Sequence, residues 1–337
     1  MLAELVAQVL IVVSLMLAVF TTVCVGRERL RRTRREWPDR LRQSAPVVVI
    51  VIAVLLLNRI ARPRIPPLSR AIDWNLTPLF YNIEGETVLW FQSFATPALT
   101  QYLSFVYIYG YAFMLIFPVI AYFALSDTRP FRELLSAYAL NYVLGLILYL
   151  FVLAYGPRNL MPDAIGTALY QFNPQYMTLT SEVNHKTNVF PSLHTSLSAT
   201  IALFAYRTRE SYPIWFLVSV PLAVSVAVST MYLGMHWAID VVFGIILAIV
   251  TVKAADRFVG RWSLEEDFGI DLEAYENRLR SALGREKNSD DSGASTDQNQ
   301  AMNTRTDTPS DTPHRDTTSN LEPQSHPDSG GKNGESD

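Results

Sequence analysis

The stretch "STMYLGMHWAIDVVFGIILA", residues 229–248, places a histidine and an aspartate where a long apolar run begins. His236 and Asp240 are four residues apart, so a helix carries both side chains on one face. Ionisable side chains are costly inside a membrane, and those found there usually serve a function. A second stretch, "VFPSLHTSLSAT" at residues 189–200, repeats the arrangement, with His194 at the start of another apolar run. Two apolar helices that each begin beside a histidine need a common explanation.

The apolar residues of this chain form runs of membrane-spanning length. Half of the 337 residues are hydrophobic, and the runs end near residue 256. Helices that are apolar on all sides are typical of membrane spans rather than of amphipathic soluble helices. The sequence therefore predicts an all-α integral membrane protein with a bundle of about seven transmembrane helices. The predicted spans are residues 2–25, 45–60, 99–125, 132–155, 193–207, 213–231 and 237–256.

Composition predicts four segments. Residues 1–44 form an N-terminal anchor helix and a basic cytoplasmic loop, and residues 45–256 form the transmembrane core. Residues 262–284 have the periodicity of a cytoplasmic amphipathic helix. Residues 285–337 hold five Lys/Arg and eleven Asp/Glu, a net charge of −6, and their composition predicts a disordered acidic tail. The single cysteine, Cys24, excludes a disulfide within the chain and a thiolate metal site.

Arginine placement predicts the orientation in the membrane. Residues 26–43, "GRERLRRTRREWPDRLRQ", contain eight arginines, and short basic loops stay in the cytoplasm. The N-terminus then lies outside the cell, the tail lies in the cytoplasm, and both histidine motifs face outward. The expected location is the cell membrane, with the site outside. Arg62, Arg64 and Arg70 lie in a loop that this orientation places outside, against the general bias. The positive charge lies between spans, which argues against nucleic-acid binding.

The polar residues near the two histidines favour phosphoryl transfer. Asp240 fixes one tautomer of His236 and leaves its other ring nitrogen free to attack. His194 supplies a second titratable group, and Arg158 in "YGPRN" has a planar guanidinium suited to phosphate oxygens. Both histidines begin helices, whose N-termini favour an anion. This predicts a phosphohistidine intermediate, with no metal and no cofactor. The alternative is a non-catalytic transporter or scaffold, in which the same residues form a proton relay or helix contacts.

Two motifs carry a resemblance to a known family. "FPSLHTS" and "STMYLGMHWAIDV" resemble the second and third motifs of the type 2 phosphatidic acid phosphatase (PAP2) superfamily. The form "YLGMHWAID" is most similar to its inositolphosphorylceramide synthase-like branch. The resemblance, over about residues 90–256, implies that His236 is the nucleophile, that Asp240 orients it and that His194 protonates the leaving oxygen. It also implies a six-helix core, to which the first span is an N-terminal addition.

The phosphate-binding residues depart from the family pattern. Many phosphatases of the superfamily have an arginine where Thr230 follows Ser229, and the usual lysine near Arg158 is missing. Lys186 is a candidate replacement. The expected phosphate-binding residues are Arg158, Ser192, Ser229 and Lys186. The implied substrate is a lipid phosphate or phosphodiester, met among membrane lipids, and the acceptor is water or an alcohol.

Overall fold

A computed structural model describes residues 2–162, Ile165 and residues 188–259. These residues form helices and connecting turns, with no strand among them and one isolated bridge between Asn75 and Leu153. The predictions for Lys186, for the amphipathic helix at 262–284 and for the tail at 285–337 lie outside the described residues.

Residues 2–61 form two helices, of which the second is the longer. Helix α1 (Leu2–Phe20) continues through a π-helical turn, Thr21–Val25, and α2 (Gly26–Ala61) follows. Gly26 has a φ of 77°, a conformation that glycine adopts without steric cost, and it separates the two helices. The stretch expected to be a basic loop is instead the first half of α2, because Arg, Leu and Glu are good helix formers. The expected domain boundary after residue 44 falls inside α2, so the domain division stays a prediction.

The remaining elements are short helices followed by a bundle of longer ones. A 3₁₀ turn, Arg62–Arg64, joins α2 to the short helices, and a π-helical turn, Val106–Gly110, joins α6 to α7. The helices are α3 (Ile65–Ile72), α4 (Thr77–Glu84), α5 (Thr87–Ser93), α6 (Pro97–Phe105), α7 (Tyr111–Phe123), α8 (Arg129–Phe151), α9 (Pro157–Leu160), α10 (Leu193–Arg207), α11 (Pro213–Tyr232) and α12 (Ala238–Val259).

Helix α10 is packed against α8, α11 and α12, and α2 packs along α8. A polar group at Asn141 joins three of these helices. Its Nδ2 donates to Thr200 Oγ1 at 3.2 Å and to Thr251 Oγ1 at 2.9 Å, and its Oδ1 accepts from Ser196. All four side chains are buried. Because each polar atom of the amide has a partner, the group holds α8, α10 and α12 in one relative position.

Five helical stretches of the described chain are long and apolar enough to cross a membrane: Glu4–Ile72, Pro97–Phe123, Arg129–Phe151, Pro213–Tyr232 and Ala238–Val259. They indicate an integral membrane protein. The first stretch contains the second predicted span and all but two residues of the first, and α10 has only 15 residues. The count of seven spans therefore stays a prediction.

Candidate active site

A cavity of about 200 Å³ lies between the last turns of α2 and α8 and the first turns of α7 and α10. We call it the histidine cavity. Its polar lining residues are Arg62, Tyr111, Tyr142, Tyr149, Arg158, Asn159, Asn188, His194 and His236. No Asp or Glu is among the lining residues within the described chain, so the wall carries positive and neutral side chains. An anionic ligand fits this wall better than a cation.

The two histidines predicted from the sequence meet in this cavity. The ring centroids of His194 and His236 are 6.0 Å apart. His194 lies in the first turn of α10, and its ring contacts those of Tyr107 and Tyr111 at centroid distances of 5.1 and 4.7 Å. The two tyrosine rings restrict the orientation of the imidazole. Residues from two separate motifs therefore form one site.

His236 is paired with Asp240. Its Nδ1 is 3.3 Å from Asp240 Oδ2, and the same oxygen accepts the backbone N–H of Trp237 at 2.9 Å. His236 lies in the turn before α12. Burial lowers the pKa of its imidazole to about 4, and a backbone hydrogen bond with Val189 acts in the opposite direction. The ring is therefore neutral at pH 7, and a neutral imidazole keeps an electron pair on one of its two nitrogens.

The turn that carries His236 is held in contact with the segment that carries Arg158. The carbonyl of Thr230 accepts the N–H groups of Met235 and His236 at 2.9 and 3.2 Å. Gly234, the residue before Met235, has a φ of 69°. Arg158 N donates to Gly234 O at 3.0 Å. A Cβ at Gly156 would lie 2.4 Å from Met235 O, so the two backbones approach too closely for any larger residue. This contact brings the half-buried Arg158 to the cavity.

The two serines of the expected phosphate-binding set do not line the cavity. Ser192 is buried and caps α10, accepting the N–H of Thr195 at 3.3 Å. Ser229 is also buried and donates to the carbonyl of Val226 at 2.7 Å. Lys186 lies outside the described residues. The structure thus brings Arg158 to the histidines, and phosphate binding by Ser192, Ser229 and Lys186 stays a prediction.

The start of α12 differs from what the sequence indicated. A free helix N-terminus was expected there, but Glu84 of α4 accepts the N–H groups of Ala238 and Ile239 at 2.8 and 2.5 Å. Asp240 accepts that of Trp237. Burial raises the pKa of the Glu84 carboxyl, the two backbone hydrogen bonds lower it, and nearby Asp240 raises it. Carboxylates of the chain itself therefore take these donors in place of a substrate anion.

Sequence reasoning missed Arg62 as a residue of the site. It lies in the 3₁₀ turn after α2, is half-buried and lines the cavity. In the sequence it stands 96 positions before Arg158, and only the packing of α2 along α8 brings the two together. The available signal was the group of arginines in the loop that the predicted orientation places outside, where basic residues are less common. Within the described residues, no group of three or more His, Cys, Asp or Glu is arranged to hold a metal ion.

Fold and site define the class of the protein: a helical membrane protein with a histidine pair in a polar cavity. The profile of the PAP2 superfamily matches residues 78–254, more than half of the chain, so the chain belongs to this superfamily. The match runs from α4 to α12 and includes Arg158, His194, His236 and Asp240, but not Arg62.

One relative of this chain is an uncharacterised protein of Methanocaldococcus jannaschii. The two are 27% identical over 154 residues, which is 45% of this chain. The chain spans 59% of the length of that relative. No solved structure gives a significant match.

Proposed function

We propose that this protein is a membrane-embedded lipid phosphatase or phosphotransferase that acts through a phosphohistidine. Membership of a superfamily whose members are generally phosphatases and phosphotransferases supports the reaction class. The observation that carries the proposal is the meeting of His194 and His236, with rings 6.0 Å apart, in one cavity. His236 Nδ1 lies 3.3 Å from the carboxylate of Asp240, and His194 makes no hydrogen bond to that carboxylate. The two imidazoles therefore suit different roles.

In the first step His236 is the nucleophile. With the proton of its neutral ring on Nδ1, facing Asp240, the electron pair on Nε2 attacks phosphorus. A P–N bond forms and the P–O bond to the lipid alcohol breaks. Protonated His194 gives its proton to the leaving oxygen, so the alcohol departs neutral. Arg158 stabilises the equatorial oxygens of the phosphoryl group through charge-assisted hydrogen bonds.

In the second step the phosphoryl group passes to an acceptor. His194, now neutral, takes a proton from water or from an alcohol as its oxygen attacks phosphorus. The P–N bond breaks, His236 regains its electron pair, and the product is phosphate or a new phosphoester. The form "YLGMHWAID" supports placing the chain in the inositolphosphorylceramide synthase-like branch, and hence an alcohol acceptor. Hydrolysis is the same chemistry with water as the acceptor.

The size of the cavity supports a headgroup site in a lipid enzyme. About 200 Å³ is less than the roughly 300–1,000 Å³ of sites that enclose a drug-sized ligand. A phosphate headgroup is small enough for such a volume, and acyl chains would remain in the bilayer.

The proposed experiment uses purified protein in detergent with a short-chain lipid phosphate labelled with ³²P. We expect release of labelled phosphate without added metal, and a labelled protein that is stable to base and labile to acid, as phosphohistidine is. His236→Ala should give neither. An added polyol acceptor should convert part of the phosphate into a phosphoester if the alcohol branch is correct. The competing hypothesis, a non-catalytic transporter or scaffold, predicts that the wild-type protein releases no phosphate and takes up no label.

A further inference from the structure

The histidine cavity holds a second guanidinium group, that of Arg62. Arg62 is half-buried in the turn that joins α2 to α3 and lines the same cavity as Arg158. Tyr149, His194 and His236 line this cavity with it. The guanidinium of Arg62 therefore adds positive charge to the wall of the cavity in which the proposed reaction places the phosphoryl group.

Arg62 differs from other arginines whose partners the structure identifies. Arg40 is buried and donates to Glu36 and to backbone carbonyls, and Arg129 forms an ion pair with Glu133 at 2.6 Å. No ion pair joins Arg62 to a carboxylate anywhere in the described part of the chain, and no Asp or Glu lines the cavity there. A half-buried cation that faces a cavity and has no carboxylate partner among the described residues fits an anionic ligand.

We propose that Arg62 is a phosphate-binding residue that acts together with Arg158. It supplies from α2, outside the matched region 78–254, one of the cations missing from the family motifs of this chain. The inference rests on the proposed function, since the ligand is the phosphoryl group of the same site. Two guanidinium groups with no carboxylate on the described wall suit a dianion, which a phosphomonoester carries when fully ionised.

Arg64 provides a matched control. It lies two residues further in the same turn, is exposed, donates to the carbonyl of Ile60 at 2.6 Å and is not among the residues that line the cavity. Arg64→Gln removes the same charge from the same turn as Arg62→Gln. A general effect of charge on the membrane surface would appear in both variants, and a phosphate contact would appear only in the variant at Arg62.

The experiment measures binding of inorganic phosphate to the full-length protein in detergent by titration calorimetry. We expect Arg62→Gln to weaken binding by about tenfold or more, because a hydrogen bond to a charged group is lost. Arg62→Lys should bind with intermediate affinity, since it keeps the charge but not the bidentate geometry. Arg64→Gln should match the wild type. In turnover of a phosphomonoester, Arg62→Gln should raise KM and weaken product inhibition by phosphate in parallel.

Unchanged phosphate affinity in Arg62→Gln would overturn the inference, and so would a wild-type protein that binds no phosphate. If Arg62→Gln fails to fold, Arg62→Lys decides: wild-type phosphate affinity in that variant would also count against the role. The proposed function has a separate readout. Phosphate release that depends on His236 while the Arg62 variants bind phosphate normally would remove the inference and keep the function. If phosphate binding depends on Arg62 but the protein shows no turnover, the inference is kept and the proposed function is removed.

Discussion

At the scale of single residues, the surroundings of His236 and His194 differ. Its ring is buried and neutral, and Asp240 can fix the proton on Nδ1. His194 is half-buried between the rings of Tyr107 and Tyr111 and has no carboxylate of its own in the cavity wall that the structure describes. These surroundings are consistent with the proposed roles, in which His236 is the nucleophile and His194 exchanges protons with the substrate.

This division of roles predicts how His194→Ala behaves with different leaving groups. Without the acid, expulsion of a lipid alkoxide should slow by about two to four orders of magnitude. Nitrophenyl phosphate has a leaving group that needs little protonation, so its hydrolysis should be partly spared. Steady-state turnover of both substrates by the wild type and by His194→Ala gives the comparison, and His236→Ala is the control that should lose both. Equal losses on the two substrates in His194→Ala would mean that His194 mainly binds phosphate.

The site residues differ in how far the sequence alone predicts them. His194, His236 and Asp240 could be found because their signal is local: a histidine at the start of an apolar run, and an i, i+4 pair. Arg62 could not, because its place in the site depends on the packing of α2 along α8. The occupation of the α12 N-terminus by Glu84 is likewise a tertiary contact, between residues 154 positions apart.

At the scale of elements, the ends of the apolar helices were easier to predict than the secondary structure of the arginine-rich stretch between the first two spans. Helix α10 was expected at residues 193–207 and is Leu193–Arg207, where Ser192 caps its first turn. Helix α11 begins at Pro213, a residue that suits the first position of a helix. The arginine-rich stretch was read as a loop because it is polar, although its residues favour a helix, and it forms the first half of α2.

The carboxylate of Glu84 links α4 to the element that carries Asp240. Glu84→Ala would leave two N–H groups at the start of α12 without their acceptor, which should lower the free energy of unfolding by about 1–3 kcal/mol. Turnover should fall as well, because Asp240 and His236 lie within one turn of these groups. Glu84→Gln should retain part of the stability and part of the turnover, since its amide oxygen can still accept a backbone hydrogen bond.

The stability of the Glu84 variants can be measured by denaturant unfolding in mixed micelles, with turnover measured on the same samples. Glu86→Ala is the matched control, because Glu86 is exposed and two residues away, and its side chain caps no helix. Similar losses in Glu84→Ala and Glu86→Ala would mean that the contact with α12 contributes little.

At the scale of the whole molecule, the two ends of the bundle differ in chemistry. The histidine cavity lies where α8 ends and α10 begins. At the other ends of the same helices, Glu133 pairs with Arg129 at 2.6 Å and with Arg207 at 3.4 Å. One end of the bundle thus carries paired charges, and the other carries a cavity whose described wall holds arginines and no carboxylate. The sequence predicts that the cavity end faces outside and that the C-terminus lies in the cytoplasm.

This orientation predicts which surface positions a membrane-impermeant maleimide reaches. Cys24 is the only cysteine, so Cys24→Ala gives a background without thiols into which single cysteines can be placed. Asn159 is exposed and lines the cavity, which is expected to lie outside. Asn159→Cys should therefore be labelled in intact cells. Glu210→Cys, exposed in the turn between α10 and α11, should be labelled only after permeabilisation. A reporter fused to the C-terminus should also be cytoplasmic. The reverse labelling pattern would contradict the orientation predicted from the arginine-rich segment. The same chemistry would then act on the inner leaflet.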